Sequence, residues 1–171
     1  MRSLSKSLLD HWPLAAACAS AAMLAAAHAF ETFGGFAPCH LCFYQRDVYW
    51  AALTVGVVGF ALGYMRMAWA RRTADALLAL IFLVGMGVAA YHAGVEWKWW
   101  PGPASCTGGS GRVDAGQLAA FMNGAAKASV PQCDQAAWRM LGLSMAGYNA
   151  IISLGLAVLS ILAVREARDH G

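Results

Sequence analysis

The chain contains few charged residues. Asp, Glu, Lys and Arg together make up only 12% of its 171 residues, whereas 60% of the residues are hydrophobic. A soluble globular domain has roughly 25% charged residues, so this composition argues against a soluble protein and indicates one that lies largely in lipid. The net charge of +3 is small, and it does not indicate a nucleic-acid-binding surface.

Long polar stretches are also scarce, because four apolar segments account for most of the chain. They cover about residues 14–33, 43–65, 74–95 and 141–164. Each has about the 17–25 residues that a membrane-spanning helix needs. We therefore predict an all-α membrane protein, a four-helix transmembrane bundle made by a single domain over residues 1–171 with a long loop over 96–140. The alternative for the alanine-rich start is that residues 14–30 are a cleaved signal peptide.

Basic residues are missing from one short connection. Residues 31–42 contain no Lys or Arg, whereas seven of the twelve basic residues flank the spans on the opposite side. These seven are Arg2, Lys6, Arg66, Arg71, Arg72, Arg165 and Arg168. The positive-inside rule then places both termini in the cytoplasm and turns connection 31–42 and the long loop outward.

Two of the five cysteines form a C-x-x-C motif, Cys39 and Cys42, at the mouth of the second span. Such a pair is a redox dithiol, half of a metal site, or two unrelated packing thiols. A zinc site would be completed by Cys106 and Cys133, with His40 as a further ligand. Because those two cysteines are separated by 26 residues, the second closely spaced ligand pair of a zinc site is missing. The redox dithiol is favoured.

The surroundings of Cys42 favour a reactive thiol. A helix that begins near Cys42 places its positive N-terminal end at that sulfur. Arg46, four residues later, lies on the same helix face. We therefore predict the thiolate at Cys42. The alternative role for Arg46 is to reach the lipid headgroups or to pair with the adjacent Asp47.

The remaining cysteines are spread along the chain. A bond between Cys106 and Cys133 in the long loop would be either a structural staple or a second redox pair. Proline and glycine flank Cys106, over 101–103 and 108–109, and keep that backbone out of a helix and accessible. This flanking sequence favours the redox alternative. Cys18 lies within the first span, where we predict a small packing residue.

Taken in order, these motifs resemble the DsbB family, disulfide bond formation protein B. The resemblance is carried by Pro38-Cys39-x-x-Cys42-x-x-x-Arg46, by Gly102-Pro103 before Cys106, and by Val130-Pro131-Gln132-Cys133-Asp134. Trp138 and residues 141–145 are similar to that family as well, whereas the glycine-rich segment 107–111 departs from it.

The resemblance implies a quinone-linked thiol oxidase of the bacterial inner membrane, with its redox loops in the periplasm. A DsbA-like thioredoxin-fold protein would attack a Cys106–Cys133 disulfide and form a mixed disulfide with Cys106. Cys133 would then attack Cys39, and Cys42 would pass the electrons to a membrane quinone, ubiquinone or menaquinone. The four cysteines are the implied catalytic residues.

The resemblance also implies a quinone site made by Cys42, Arg46 and His92. His92 lies near the outer end of the third span, where it would donate a proton or a hydrogen bond to a quinone carbonyl. The alternative is a solvent-facing histidine at the membrane interface. Glu96, one turn later, is either a group that serves protonation or an exposed interfacial carboxylate, and we expect the second.

Two other functions compete with this one. The main alternative is a non-catalytic four-span scaffold or metal-binding membrane protein with structural disulfides. A vitamin K epoxide reductase-like protein shares the chemistry, but in that family the C-x-x-C motif comes late in the chain. Within the loop, apolar residues over 113–127 predict a short helix lying on the bilayer, and Trp97, Trp99 and Trp100 predict an interfacial belt.

Overall fold

The computed structural model describes residues 8–65, 67–103 and 132–169. Within these residues, four long helices carry the fold: α1 (Trp12–Thr32), α2 (His40–Tyr64), α3 (Ala68–Glu96) and α4 (Met145–Asp169). Each is long and apolar enough to cross a membrane, so the prediction of an all-α four-helix membrane bundle is confirmed. The predicted surface helix over 113–127 lies outside the described residues.

Proline and glycine set the boundary between α1 and α2. Pro13 lies in the first turn of α1, where its missing N–H costs no helical hydrogen bond. After α1, Gly35 adopts a φ of 68°, a left-handed conformation that glycine adopts readily. Cys39 is extended, with φ −82° and ψ 173°, and α2 begins at His40 rather than at residue 43. The first turn of α2 therefore holds the second cysteine of the motif.

A short hairpin precedes α4. Strand β1 (Arg139–Met140) pairs antiparallel with β2 (Leu143–Ser144). The two residues between the strands both have positive φ, 50° at Leu141 and 82° at Gly142, as in the two-residue turns that suit the twist of a hairpin. The prediction that the fourth span begins at residue 141 is therefore wrong, and the helix begins at Met145.

The helices pack in chain order, α1 against α2, α2 against α3 and α3 against α4. The buried contacts are made largely by small residues, which let helix backbones approach closely in lipid. They include Ala16, Ser20, Ala52, Ala157 and Ser160. Large side chains such as Leu80 and Ile151 are instead more than half exposed, at 59% and 57%. Cys18 is also exposed, so the prediction that it packs inside the bundle is wrong.

A polar contact joins the first and the last helix. Trp12 Nε1 donates to Ser160 Oγ over 2.8 Å, which links α1 to α4.

A second polar contact closes the last turn of α3. Trp100, just after this helix, folds back and donates from Nε1 to the carbonyl of Tyr91 over 3.0 Å. Its indole lies where a side chain at Gly94 would stand, so only glycine fits at that position.

Candidate redox site

The start of α2 brings the two motif cysteines together. Cys39 is the residue that caps the helix, and Cys42 donates its backbone N–H to the Cys39 carbonyl over 3.0 Å. Their Sγ atoms are 2.9 Å apart, and both thiols are free. A disulfide requires an S–S distance of about 2.05 Å, so a small movement closes the bond. The geometry supports a dithiol that converts to a disulfide.

His92 reaches this pair from α3. Its Nε2 lies 3.6 Å from Cys39 Sγ, and the side chain is buried, with 4% exposure. The alternative of a solvent-facing histidine at the interface is therefore wrong. The hydrogen bond from Cys42 and then that from His92 lower the pKa of the Cys39 thiol well below its ordinary value of 9, against the effect of burial. The donor from His92 thus favours a thiolate at Cys39, and the thiolate at Cys42 stays a prediction.

Arg46 lies one turn deeper and is held by the preceding helix. Its Nη1 donates to Glu31 Oε2 over 2.6 Å, and its Nη2 donates to the carbonyl of Ala27 over 3.3 Å. Its partner is thus Glu31 of α1, whereas Asp47, the partner considered from sequence, is exposed. The guanidinium also lies over the ring of Phe43, 5.7 Å from its centroid. These contacts fix the cation beside the cysteine pair.

Cys133 lies against the same pair. It is only 1% exposed and forms one apolar cluster with Cys39 and Leu41, with Cys42 at the cluster's edge. Cys133 is disulfide-bonded, and Cys106 lies outside the described residues. The loop therefore delivers a disulfide sulfur directly to the start of α2.

Two polar contacts hold this part of the loop in place. Lys98 Nζ donates to Asp134 Oδ2 over 2.5 Å, and Arg139 Nη2 donates to the carbonyl of Glu96 over 3.3 Å. Both tie the segment around Cys133 to the end of α3. The position of that cysteine is thus set by the helix that also carries His92.

A cavity of about 650 Å³ opens beside these groups. Its lining comes from all four helices and the segments between them, with apolar side chains of α1 and α4 among it, and its polar lining includes Cys42, Arg46, His92 and Glu96. An apolar pocket with a few convergent polar groups is typical of a small-molecule site. Trp138 lines it too, with ring contacts to neighbours on both sides.

Glu96 is buried in this cavity, contrary to the expectation of an exposed carboxylate. Its exposure is 6%, and its Oε1 lies 3.8 Å from His92 Nε2. Its Oε2 is buried without a hydrogen-bond partner among the described residues. An unpaired polar oxygen in a cavity marks a place where a ligand or a proton can be bound.

Sequence reasoning missed a row of buried polar side chains behind His92. Gln45 and Tyr49 on α2 and Asn149 and Ser153 on α4 are at most 8% exposed. A sequence signal was available, because each pair is spaced four residues apart and therefore shares a helix face. Polar side chains buried inside apolar spans are candidates for function.

The metal alternative finds less support. Donor atoms of Cys39, Cys42 and His92 do lie within 4.8 Å of one another. Cys133, however, is disulfide-bonded and is not available as a ligand, and His40 is exposed. The structure therefore does not bring Cys133 and His40 to the C-x-x-C pair as zinc ligands.

A four-helix membrane bundle with a dithiol at a helix start and a disulfide-bonded cysteine against it defines a membrane thiol–disulfide protein. The family model for disulfide bond formation protein DsbB matches residues 10–163. The chain belongs to the DsbB family.

Relatives named disulfide bond formation protein B match nearly the whole chain. The protein of Xanthomonas oryzae pv. oryzae (strain MAFF 311018) is 32% identical over 88% of this chain and 87% of its own length. The protein of Xanthomonas axonopodis pv. citri (strain 306) is 31% identical, over 89% and 90%, and that of Dechloromonas aromatica (strain RCB) is 28% identical, over 85% and 87%. No solved structure shows significant similarity.

Replacing His92 by Phe should slow the alkylation of Cys39. The thiolate is the reacting form, and a lowered pKa keeps it present until the pH falls through that pKa. Losing a donor to a charged sulfur raises the pKa, so Cys39 should react about tenfold more slowly near pH 4. The rate of iodoacetamide labelling, assigned to Cys39 by peptide mass spectrometry across the acidic range, measures this.

The matched control is His28→Phe, which removes an exposed histidine and should leave the pH profile unchanged. If Cys39 in the parent protein reacts with the midpoint of an ordinary thiol, the assignment of the thiolate is wrong.

Proposed function

We propose that this protein is a membrane protein-dithiol oxidoreductase that reoxidises a periplasmic DsbA-like protein and passes the electrons to a membrane quinone. One observation carries the proposal. The disulfide-bonded Cys133 is buried against Cys39, whose sulfur lies 2.9 Å from that of Cys42. Cys133, Cys39 and Cys42 can therefore exchange disulfides without a large movement of the helices.

The proposed orientation places the redox end of the bundle in the periplasm and both termini in the cytoplasm of a bacterial inner membrane. Arg71 and Arg72 lie near the start of α3, whereas His92 and the cysteine pair lie at its far end. At 1.5 Å per residue these positions are about 30 Å apart, close to the thickness of the hydrocarbon core. The positive-inside rule supports the cytoplasmic assignment of the arginine end.

The first exchanges take place in the loop. Cys106 is the cysteine left to pair with Cys133, and a thiolate of the DsbA-like protein attacks its sulfur, forming a mixed disulfide and releasing Cys133 as a thiolate. Cys133 attacks Cys39 Sγ, and the Cys39–Cys42 bond breaks with its electron pair moving to Cys42. The partner's second thiolate then resolves the mixed disulfide and frees Cys106.

The last exchange returns the loop to its oxidised state. Cys106 attacks Cys133, which restores their disulfide and leaves Cys39 and Cys42 reduced. Two electrons have then passed from the partner to the pair in α2. Closing the Cys39–Cys42 bond again releases two electrons and two protons, which a quinone beside Cys42 would accept.

The residues around the cavity fit a quinone headgroup. The walls are largely apolar, and the cavity contains the unpaired Glu96 Oε2 and the Arg46 guanidinium. A guanidinium has five N–H donors, so donors remain beyond those that reach Glu31 and Ala27. A bound quinone supplies an acceptor for two electrons and two protons. Arg46 would orient it beside Cys42, His92 would line the same wall, and the apolar walls would exclude water.

Purified protein supplied with a reduced DsbA-like protein should form one quinol per partner disulfide. Cys133→Ser should abolish turnover, because Cys39 then has no attacking thiolate. With an oxidised DsbA-like protein, the unpaired Cys106 thiolate of this variant should attack the partner's disulfide and trap a mixed disulfide. Quinone absorbance and non-reducing gels measure these two outcomes. Cys18→Ser, which removes an exposed thiol, should retain full activity. Turnover by the Cys133 variant would contradict the relay.

Arg46→Ala should raise the KM for quinone by about tenfold to a hundredfold, the effect expected from losing a charged hydrogen-bond donor. The cysteines should remain oxidisable by a small-molecule disulfide. Arg72→Ala, at the opposite end of the bundle, is the control for lost positive charge. An unchanged KM in the Arg46 variant would remove this residue from the site.

A further inference from the structure

A chain of buried hydrogen bonds leads from α4 to the ring of His92. Gln45 Nε2 lies 2.7 Å from His92 Nδ1 and also donates to the backbone carbonyl of Leu41 over 3.3 Å. At its other end, Gln45 Oε1 accepts from Asn149 Nδ2 over 2.5 Å. Tyr49 donates its hydroxyl to Asn149 Oδ1. Every link is buried within the bundle.

The Leu41 carbonyl determines which groups donate and which accept in this series of hydrogen bonds. A carbonyl oxygen only accepts hydrogen bonds, so the end of the Gln45 amide that faces it must be the NH₂ group. The same NH₂ group faces His92 Nδ1, and that nitrogen must therefore accept. Asn149 supports the same orientation of the Gln45 amide. Its NH₂ group donates to Gln45 Oε1, and its Oδ1 accepts from the hydroxyl of Tyr49.

We propose that Gln45 is a positioning residue that holds His92 in the tautomer with its proton on Nε2. In a neutral imidazole the nitrogen that accepts a hydrogen bond leaves the proton on the other one. The Nε2–H group then faces Cys39 Sγ at 3.6 Å, with Glu96 Oε1 at 3.8 Å. His92 acts on the cysteine pair as a fixed hydrogen-bond donor.

This assignment argues against two other roles for His92. Protonating Nδ1 would set an N–H group against the NH₂ of Gln45, so this contact works against the general acid considered from the sequence. Coordinating a metal through Nε2 would require the lone pair that the proton occupies, so the cluster with Cys39 and Cys42 is held in a form that disfavours metal binding.

The tautomer has a redox consequence. A thiolate accepts a stronger hydrogen bond than a disulfide sulfur does, because one partner is charged. The Nε2–H donor therefore stabilises the reduced pair relative to the disulfide and makes the pair a better oxidant of Cys133. This role in the cycle rests on the proposed function, whereas the tautomer itself does not.

Nitrogen-15 NMR of histidine-labelled, reduced protein tests the proposal, with the His92 signals identified by their loss in His92→Phe. In the parent protein Nδ1 should resonate in the unprotonated range and Nε2 in the protonated range at neutral pH. Gln45→Glu replaces the donor by an acceptor, so Nδ1 should move into the protonated range. Gln135→Glu, the same change at an exposed glutamine, should leave the signals of His92 as they are.

An Nδ1–H tautomer or a charged imidazolium in the parent protein would overturn the proposal, whether or not the variants fold. Gln45→Met, which removes the donor without adding charge, should slow alkylation of Cys39 about tenfold near pH 4. An unchanged rate would overturn the link to the cysteine. The NMR experiment needs neither partner nor quinone, so failure of quinol formation would count against the proposed function alone.

Discussion

The fixed position of Cys39 at the N-terminus of α2 is the constraint on which the rest of the site depends. This one sulfur touches Cys42 in the next turn, His92 from α3 and, through an apolar cluster, Cys133 from the loop. Each contact corresponds to a step that a disulfide relay needs: a bond to break, a donor to stabilise the thiolate and an incoming nucleophile. If the helix began one turn later, Cys39 would lose its fixed position and these contacts would be lost together.

The polar side chains inside the bundle connect stability to reactivity. Lipid offers no water to satisfy buried donors and acceptors, so they must pair within the protein. Gln45, Asn149 and Tyr49 do so across α2 and α4 and end on His92. The hydrogen bonds that join α2 and α4 thus also fix the position of the proton on the His92 ring. A substitution that breaks them changes both the contact between these helices and the tautomer of His92.

The sequence was sufficient to predict the spans, the dithiol and its position at a helix start, because hydropathy and local spacing determine them. It was not sufficient for contacts between helices, which depend on how each helix is rotated about its axis by the packing of small residues. Three features of the site depend on such contacts: Arg46 pairs with Glu31, Glu96 is buried, and His92 approaches Cys39. The late start of α4 was missed for a different reason, since residues 141–144 are apolar enough to read as helix although Gly142 favours a turn.

The central claim is that Cys133 attacks Cys39, and trapping that bond tests it most directly. In a Cys42→Ser, Cys106→Ser double variant, each of these two cysteines lacks its usual partner, while Cys18 remains as an internal control. Mild oxidation followed by peptide mapping without reduction should recover a Cys39–Cys133 disulfide, with Cys18 still free. Recovery of Cys39 and Cys133 as free thiols under conditions that oxidise the parent pair would contradict the account.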